Sequence, residues 1–365
     1  MTLIKDVIRI LEDFAPPVWQ ESYDNSGLIT GNPDAEVTGI ILCLDSIESV
    51  IDEAISENCN LVIAHHPIVF SGIKKLTGKN YIERILLKAI RNNISIYAIH
   101  TNLDNVLSGV NHRLGTELGL RDLKILSAKE HLLKKLVTFC PVAQAEEVRN
   151  ALFAAGAGGI GNYSECSFNV EGTGTFKPGE NTNPFSGKIG VRQHEKEVRI
   201  ESLFYAHQQA KILNALFKAH PYEEVAYYIN TLDNSLQTTG SGMTGILEKP
   251  MDEKEFLLAV KSHLGCSVLR HTSFTGKKIE KVALCGGAGF FLLKDAIAAG
   301  ADAFITSDIK YHQFFDADSR ILLVDAGHFE TEQFTMNLLK DLLIKNFSTF
   351  AIRLTKVDTN PVKYI

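Results

Sequence analysis

Cysteine is sparse in this chain and never grouped. The six residues Cys43, Cys59, Cys140, Cys166, Cys266 and Cys285 are dispersed, with no C-x-x-C spacing. That excludes a zinc-ribbon framework and argues against a disulfide scaffold. Cys43, Cys140 and Cys285 lie in strand-like runs and read as small buried hydrophobes. Long apolar runs are missing too: nothing approaches the ~20 residues that span a bilayer. The first residues, Met1-Thr2-Leu3-Ile4-Lys5-Asp6, carry charge where a signal peptide needs an apolar region. Positive charge is also short. With 37 Lys and Arg against 43 Asp and Glu, the net charge is −6, which leaves no basic footprint for nucleic acid. The glycine run Gly286-Gly287-Ala288-Gly289 matches neither a P-loop nor a G-x-G-x-x-G fingerprint. The expectation is a disulfide-free cytoplasmic protein with no membrane or nucleic-acid partner.

What is present suits a folded, multi-domain chain: 365 residues, 45% hydrophobic and 22% charged. Residues 2–14 have the pattern of an amphipathic helix stopped by Pro16-Pro17. Strands are expected at 37–44, 61–64 and 94–99, alternating with helices at 46–57, 81–91 and 110–118. This β-α-β-α-β succession argues for a parallel sheet with right-handed crossovers. The last third repeats the order, with strands at 281–285, 303–306 and 321–324, helices at 290–299, 310–316 and 328–344, and a last strand at 348–354. Between them, residues 132–229 read as β-α-β-β-α-β around a Gly-rich stretch, the order of a ferredoxin-like module. The expected class is therefore α/β. Two facing lobes with mostly parallel sheets, 1–130 and 233–365, flank an inserted α+β domain at 131–232.

The chemistry gathers at the carboxyl ends of the expected strands, where open α/β sheets place their crevice. Leu61-Val62-Ile63-Ala64 runs into His65-His66-Pro67. Adjacent strand residues point to opposite faces, so His65 and His66 share a site only beyond the strand end. There, neighbouring imidazoles can serve two different ions. The strand at 94–99 ends in His100-Thr101-Asn102-Leu103-Asp104, and that at 321–324 leads to Asp325-Ala326-Gly327-His328-Phe329-Glu330-Thr331-Glu332. A helix starting near Gly327 or His328 puts His328 and Glu332 on one face. His65, His66, Asp104, His328 and Glu332 form a nitrogen and carboxylate set without sulfur, suited to Zn, Mn, Fe or Co. Five ligands exceed what one open catalytic ion uses, and a carboxylate can bridge. A centre of two divalent transition-metal ions per chain is expected.

Together with Thr306-Ser307-Asp308-Ile309-Lys310-Tyr311-His312 and the N-terminal Tyr23-Asp24-Asn25-Ser26-Gly27-Leu28, these motifs resemble the Nif-three-like dinuclear-metal family. Its bacterial members are often labelled GTP cyclohydrolase 1 type 2 homologs, and Tyr23 stands where Trp is common. The middle of the chain, most recognisably Ala219-His220-Pro221-Tyr222-Glu223-Glu224-Val225, is similar to the PII and CutA-type insert of the longer members. The resemblance implies that His66 and Asp104 hold one ion and His65 and His328 the other, with Glu332 bridging. It also implies a toroidal homohexamer whose sites face an internal cavity.

Other residues keep two readings each. His312 is a candidate general acid or base, or a histidine bonded to a nearby carbonyl. His100 either orients Asp104 or is structural. Gly286-Gly287-Ala288-Gly289 either cradles a phosphate or makes a tight turn under close packing, the better reading. His220-Pro221-Tyr222-Glu223-Glu224 reads as a turn into a strand rather than a second metal site. Two functions follow. One is a metal-dependent hydrolase that uses an activated water on a nucleotide-like, phosphoester or cyclic amide small molecule. The other is a non-catalytic metal-binding regulatory or scaffold assembly whose inserted module senses a ligand.

Overall fold

The computed structural model describes the whole chain apart from the side chain of Gln237. It contains two compact units, Met1–Ala128 with Gln237–Ile365, and Lys129–Leu236. The architecture is α/β.

The first unit holds two sheets. In one, Gly39–Cys43, Leu61–Ala64 and Ser95–Ala98 lie side by side and parallel, with Gly27–Thr30 antiparallel on one edge and Ala351–Leu354 parallel on the other. The three central strands are buried throughout, as uninterrupted apolar runs require when both sheet faces are covered. Helix Tyr81–Arg91 begins at Asn80, whose side chain accepts from the Glu83 backbone N–H. Its Ile85 and Ala89 pack under the sheet with Val50, Ile51 and Ala54 of helix Glu48–Ser56.

The second sheet runs Arg270–His271, Leu322–Asp325, Ala303–Thr306, Lys278–Leu284, Leu236–Asp252 and Arg121–Lys129. Its middle three strands are parallel. The two sheets do not divide the chain at one point. Ala351–Leu354, near the C-terminus, closes the first sheet, and Arg121–Lys129, from the N-terminal third, closes the second.

The long helix expected at 328–344 is two helices, His328–Glu332 and Thr335–Asn346. Between them the Gln333 side chain donates to the Leu264 carbonyl oxygen. The break lets the short piece face the site while Leu339 and Leu343 of the longer one enter the core of the first sheet. Likewise 290–299 divides into a 3₁₀ turn, Phe290–Leu292, and helix Leu293–Ala298.

The second unit, in chain order, is β-α-β-β-α-β: Leu133–Pro141, Ala145–Ala154, Phe168–Phe176, Gln193–Tyr205, Gln209–Ala219 and Tyr227–Thr231. Its four strands pair antiparallel throughout. Leu136, Cys140, Val198, Ile200 and Phe204 on one sheet face pack against Val148, Leu152, Ile212 and Leu216 of the two helices. Among the described residues no helix is long and apolar enough to cross a membrane, and all six cysteines are free.

Candidate metal centre

Strand Leu61–Ala64 ends, but its backbone pairing continues: the His65 and His66 N–H groups donate to the Cys43 and Leu44 carbonyls. Leaving the strand geometry there turns both rings to one side, with centroids 4.9 Å apart. His65 is fully buried, and its Nδ1 lies 2.9 Å from the carbonyl oxygen of Ile99 at the end of the neighbouring strand. His66 Nδ1 lies 2.9 Å from Asp45 Oδ1. From the second sheet, His328 Nδ1 lies 2.6 Å from Asp308 Oδ2. A carbonyl oxygen or a carboxylate can only accept, so each Nδ1 carries the proton and donates. The partner fixes each ring's orientation and turns its Nε2 toward the centre, the arrangement found around metal-bound histidines.

These Nε2 atoms converge on Glu332, which helix His328–Glu332 places one turn beyond His328. Glu332 Oε2 lies 3.0 Å from His66 Nε2 and 3.1 Å from His328 Nε2, which are 3.3 Å from each other. Glu332 Oε1 lies 3.9 Å from His65 Nε2, and Asp104 Oδ1 is 3.6 Å from the same nitrogen. His66 and His328 thus stand at one oxygen of Glu332, and His65 lies nearer the other, with Asp104 beside it. His65 turns toward Ile99 and the helix Thr101–Asp104, while His66 turns toward the second sheet.

A metal can be tested against these residues directly. His65 Nε2 and Asp104 Oδ1 are buried and have no hydrogen-bond partner. Two orphaned polar atoms at one centre are costly unless something binds them. Nitrogen and carboxylate oxygen are the donors a divalent transition ion takes. The set fits.

Electrostatics agrees. Burial pushes the His65 imidazole down to about 3, keeping it neutral. Against their own burial, His66 is held up at about 10 by the Asp45 and Glu332 carboxylates, and His328 at about 11 by Asp308 and Glu332. Burial and the Glu332 charge raise Asp104 well above the usual carboxylate range. Glu332, despite its burial, is held well below that range by His328 and His66.

The wall is equally specified. Gly287 has φ +62°, and a Cβ there would come 2.2 Å from Glu332 Oε1. Its N–H donates to Thr331 Oγ1, which also bonds the Gly327 and His328 carbonyls. The Gly286-Gly287-Ala288-Gly289 segment is thus a tight turn backing the Glu332 carboxylate.

His100 adds a further imidazole, its ring centroid 5.3 Å from both His65 and His66. Its Nδ1 donates to Asp24 Oδ1 at 2.8 Å, so it does not orient Asp104 through that atom. Asp24 also accepts from the Thr101 N–H and hydroxyl, locking the start of the helix that carries Asp104. Asp24, Asp45 and Asp308 were the partners that sequence reasoning missed. His312 is not brought in: it is exposed on the 3₁₀ segment Tyr311–Ala317, its ring beside Tyr311 and Phe315, and it does not line the cavity around the centre. That cavity measures about 1340 Å³, with Lys74, Lys75, Phe70, Tyr81 and Arg270 among its lining residues.

The chain is similar along nearly its whole length to known proteins. Residues 2–361 match the family Duf34/NIF3 (NGG1p interacting factor 3). A Halalkalibacterium halodurans protein named GTP cyclohydrolase 1 type 2 homolog is 40% identical over 88% of this chain and 87% of its own. A Bacillus subtilis protein of the same name is 36% identical over 99% and 98%. Among solved structures, a Bacillus cereus protein related to NIF3 superposes with a TM-score of 0.82 at 36% identity, covering 100% of this chain and 99% of that one.

Proposed function

The chain belongs to the Duf34/NIF3 family, and from that footing we propose that it binds two divalent transition-metal ions and uses them as a hydrolase. The observation that carries this reading is the pair of buried, unpartnered donor atoms on His65 and Asp104 beside the buried Glu332 carboxylate. Glu332 presents one oxygen to His65 and the other to His66 and His328. In this reading, His65 with Asp104 and His66 with His328 hold one ion each, and Glu332 bridges them.

Ions in such a site supply Lewis acidity and a water acidic enough to ionise near neutral pH. The chain's own residues do the rest. Ile99, Asp45 and Asp308 fix the three imidazoles in one tautomer. Gly286 and Gly287 bring backbone close to the reacting centre. The cavity is roomy enough for a small-molecule substrate, and Lys74 and Lys75 stand in its lining while Arg270 is paired with Asp325. The two lysines suit an anionic group on a nucleotide-like molecule or phosphoester, and the names of the curated relatives point the same way. A cyclic amide is the remaining class.

We also propose that the protein works as a toroidal homohexamer in the cytoplasm, and that Lys129–Leu236 is a ferredoxin-like module of the PII/CutA type. The all-antiparallel sheet and its two helices support the last point. The second reading, a non-catalytic regulatory assembly, is favoured by a cavity that the module carries itself.

The test is elemental analysis of protein purified without chelators, joined to turnover assays over nucleotides, phosphoesters and cyclic amides. About two ions per chain with metal-dependent turnover supports the hydrolase. Two ions without turnover supports the regulatory reading. One tightly held ion, or none after supplementation, overturns both.

A further inference from the structure

The Gly-rich strand and the His220-Pro221-Tyr222 turn find no use at the metal centre, yet both build a second cavity of about 600 Å³ within Lys129–Leu236. His220 is not a metal ligand. Its Nδ1 accepts from the Tyr222 N–H, so its Nε2 carries the proton and donates to the Phe139 carbonyl at 2.9 Å. This pins the turn and aims Tyr222 at the cavity. The Tyr222 ring stands beside those of Phe176 and Phe185, with centroids 6.1 and 6.0 Å away. Phe139 and Tyr228 meet edge to face at 5.8 Å and line the same space.

Within these aromatic walls lies a carboxylate. Glu197 is only 8% exposed, and its Oε1 accepts from the Tyr222 hydroxyl at 2.8 Å. Among the described residues no cation pairs with it, because the nearby Arg199 is engaged by Glu201 at 2.6 Å. Its other oxygen occupies the space above Gly174, where a Cβ would come within 2.0 Å of Oε2. Glycine in that strand makes room for the carboxylate. Glu171, Glu223 and Glu224 add negative charge to the lining.

We propose that this cavity binds a small organic cation of the alkylammonium class. Ring faces attract a cation through their quadrupole, and aromatic cages hold quaternary ammonium groups in this way. A buried carboxylate with no cationic partner gains most from such a guest. A neutral apolar molecule would fill the walls but leave Glu197 unpaired.

The probe is choline chloride, set against its uncharged carbon isostere 3,3-dimethylbutan-1-ol, with full-length protein at matched ionic strength. Binding is read by calorimetry and ligand-observed NMR. Choline should bind saturably at one per chain, at least 10-fold tighter than the isostere. Glu197→Gln, which keeps an acceptor for Tyr222, should weaken choline at least 10-fold and leave the isostere unchanged. Should Glu197→Gln melt early, Phe185→Ala serves instead: its ring is 53% exposed in a loop, and its loss should weaken choline several-fold in a folded protein. Glu332→Gln at the metal centre should leave choline binding alone, which separates this proposal from the hydrolase reading. Equal binding of choline and isostere, unchanged affinity in both cavity variants, or no saturable choline binding by folded protein overturns it.

Discussion

His66 and His328 come from strand ends in different sheets, and their Nε2 atoms stand 3.3 Å apart with Oε2 of Glu332 within 3.1 Å of each. The Glu332 carboxylate holds the two rings together; in the proposed metal-bound state an ion would take their lone pairs instead.

Glu332→Gln should therefore empty the centre, because a neutral amide is a poor bridge. Metal content measured after purification should fall from about two ions per chain to well below one. His312→Ala should leave it unchanged, since His312 is exposed and outside the cavity lining. Equal loss in both variants would mean that the ligand set is misassigned.

The residues that meet at the centre were legible because each lies beyond a short buried strand that the sequence displays as an apolar run. Their carboxylate partners were not. Asp45 and Asp308 also lie two residues past strand ends, after Cys43 and Thr306, and that position is the signal that could have found them. Which imidazole each one meets depends on sheet register, a long-range property. The return of Ala351–Leu354 to the first sheet is hidden for the same reason. His312 follows an equivalent strand end but stands exposed on the 3₁₀ segment, outside the cavity lining, which a strand-end position alone does not reveal.

Asp308→Asn and Asp45→Asn should each weaken metal affinity about 10–100-fold without removing a ligand. An amide no longer compels the proton onto Nδ1, so the wrong tautomer competes for Nε2. Competition with a chromophoric chelator would read the change. Affinity within a factor of two of the parent would show that the rings are held by packing alone.

Gly287→Ala meets two obstacles, the positive φ and the contact with Glu332. It should cost about 1–3 kcal/mol and lower metal content. Gly276→Ala has a similar φ of +78° but nothing within 4 Å, so it should cost about 1 kcal/mol and leave metal content intact. Urea denaturation with elemental analysis separates strain from damage to the site.

Asp24→Asn tests the anchor beneath His100 and Asp104. Hydrogen bonds from His100 and Thr101 outweigh burial and hold the Asp24 carboxyl below the usual range. A depressed acid contributes stability that is present above its unfolded value, about 3.9, and is lost as pH falls toward its folded value. The variant should be less stable by about 1.5–3 kcal/mol at neutral pH. The difference should hold down to about pH 5 and shrink below pH 4. A difference that grows on acidification would reverse the sign and discard this account.

The last prediction concerns the unit Lys129–Leu236, which should be removable without loss of metal. All five proposed ligands lie in Met1–Ala128 and Gln237–Ile365. Within that unit the two cut ends are neighbours: a Cβ on Gly240 would come 2.7 Å from the Ala128 Cα, and the Gly240 N–H donates to the Asn105 carbonyl. A short Gly/Ser bridge from Ala128 to about Thr239 therefore spans little distance, and closure cost rises only slowly with linker length. The shortened chain should melt cooperatively and hold the same metal per chain as the parent, while losing choline binding entirely. Insoluble or metal-free protein from several linker lengths would show that the excised unit completes the core around the ligands.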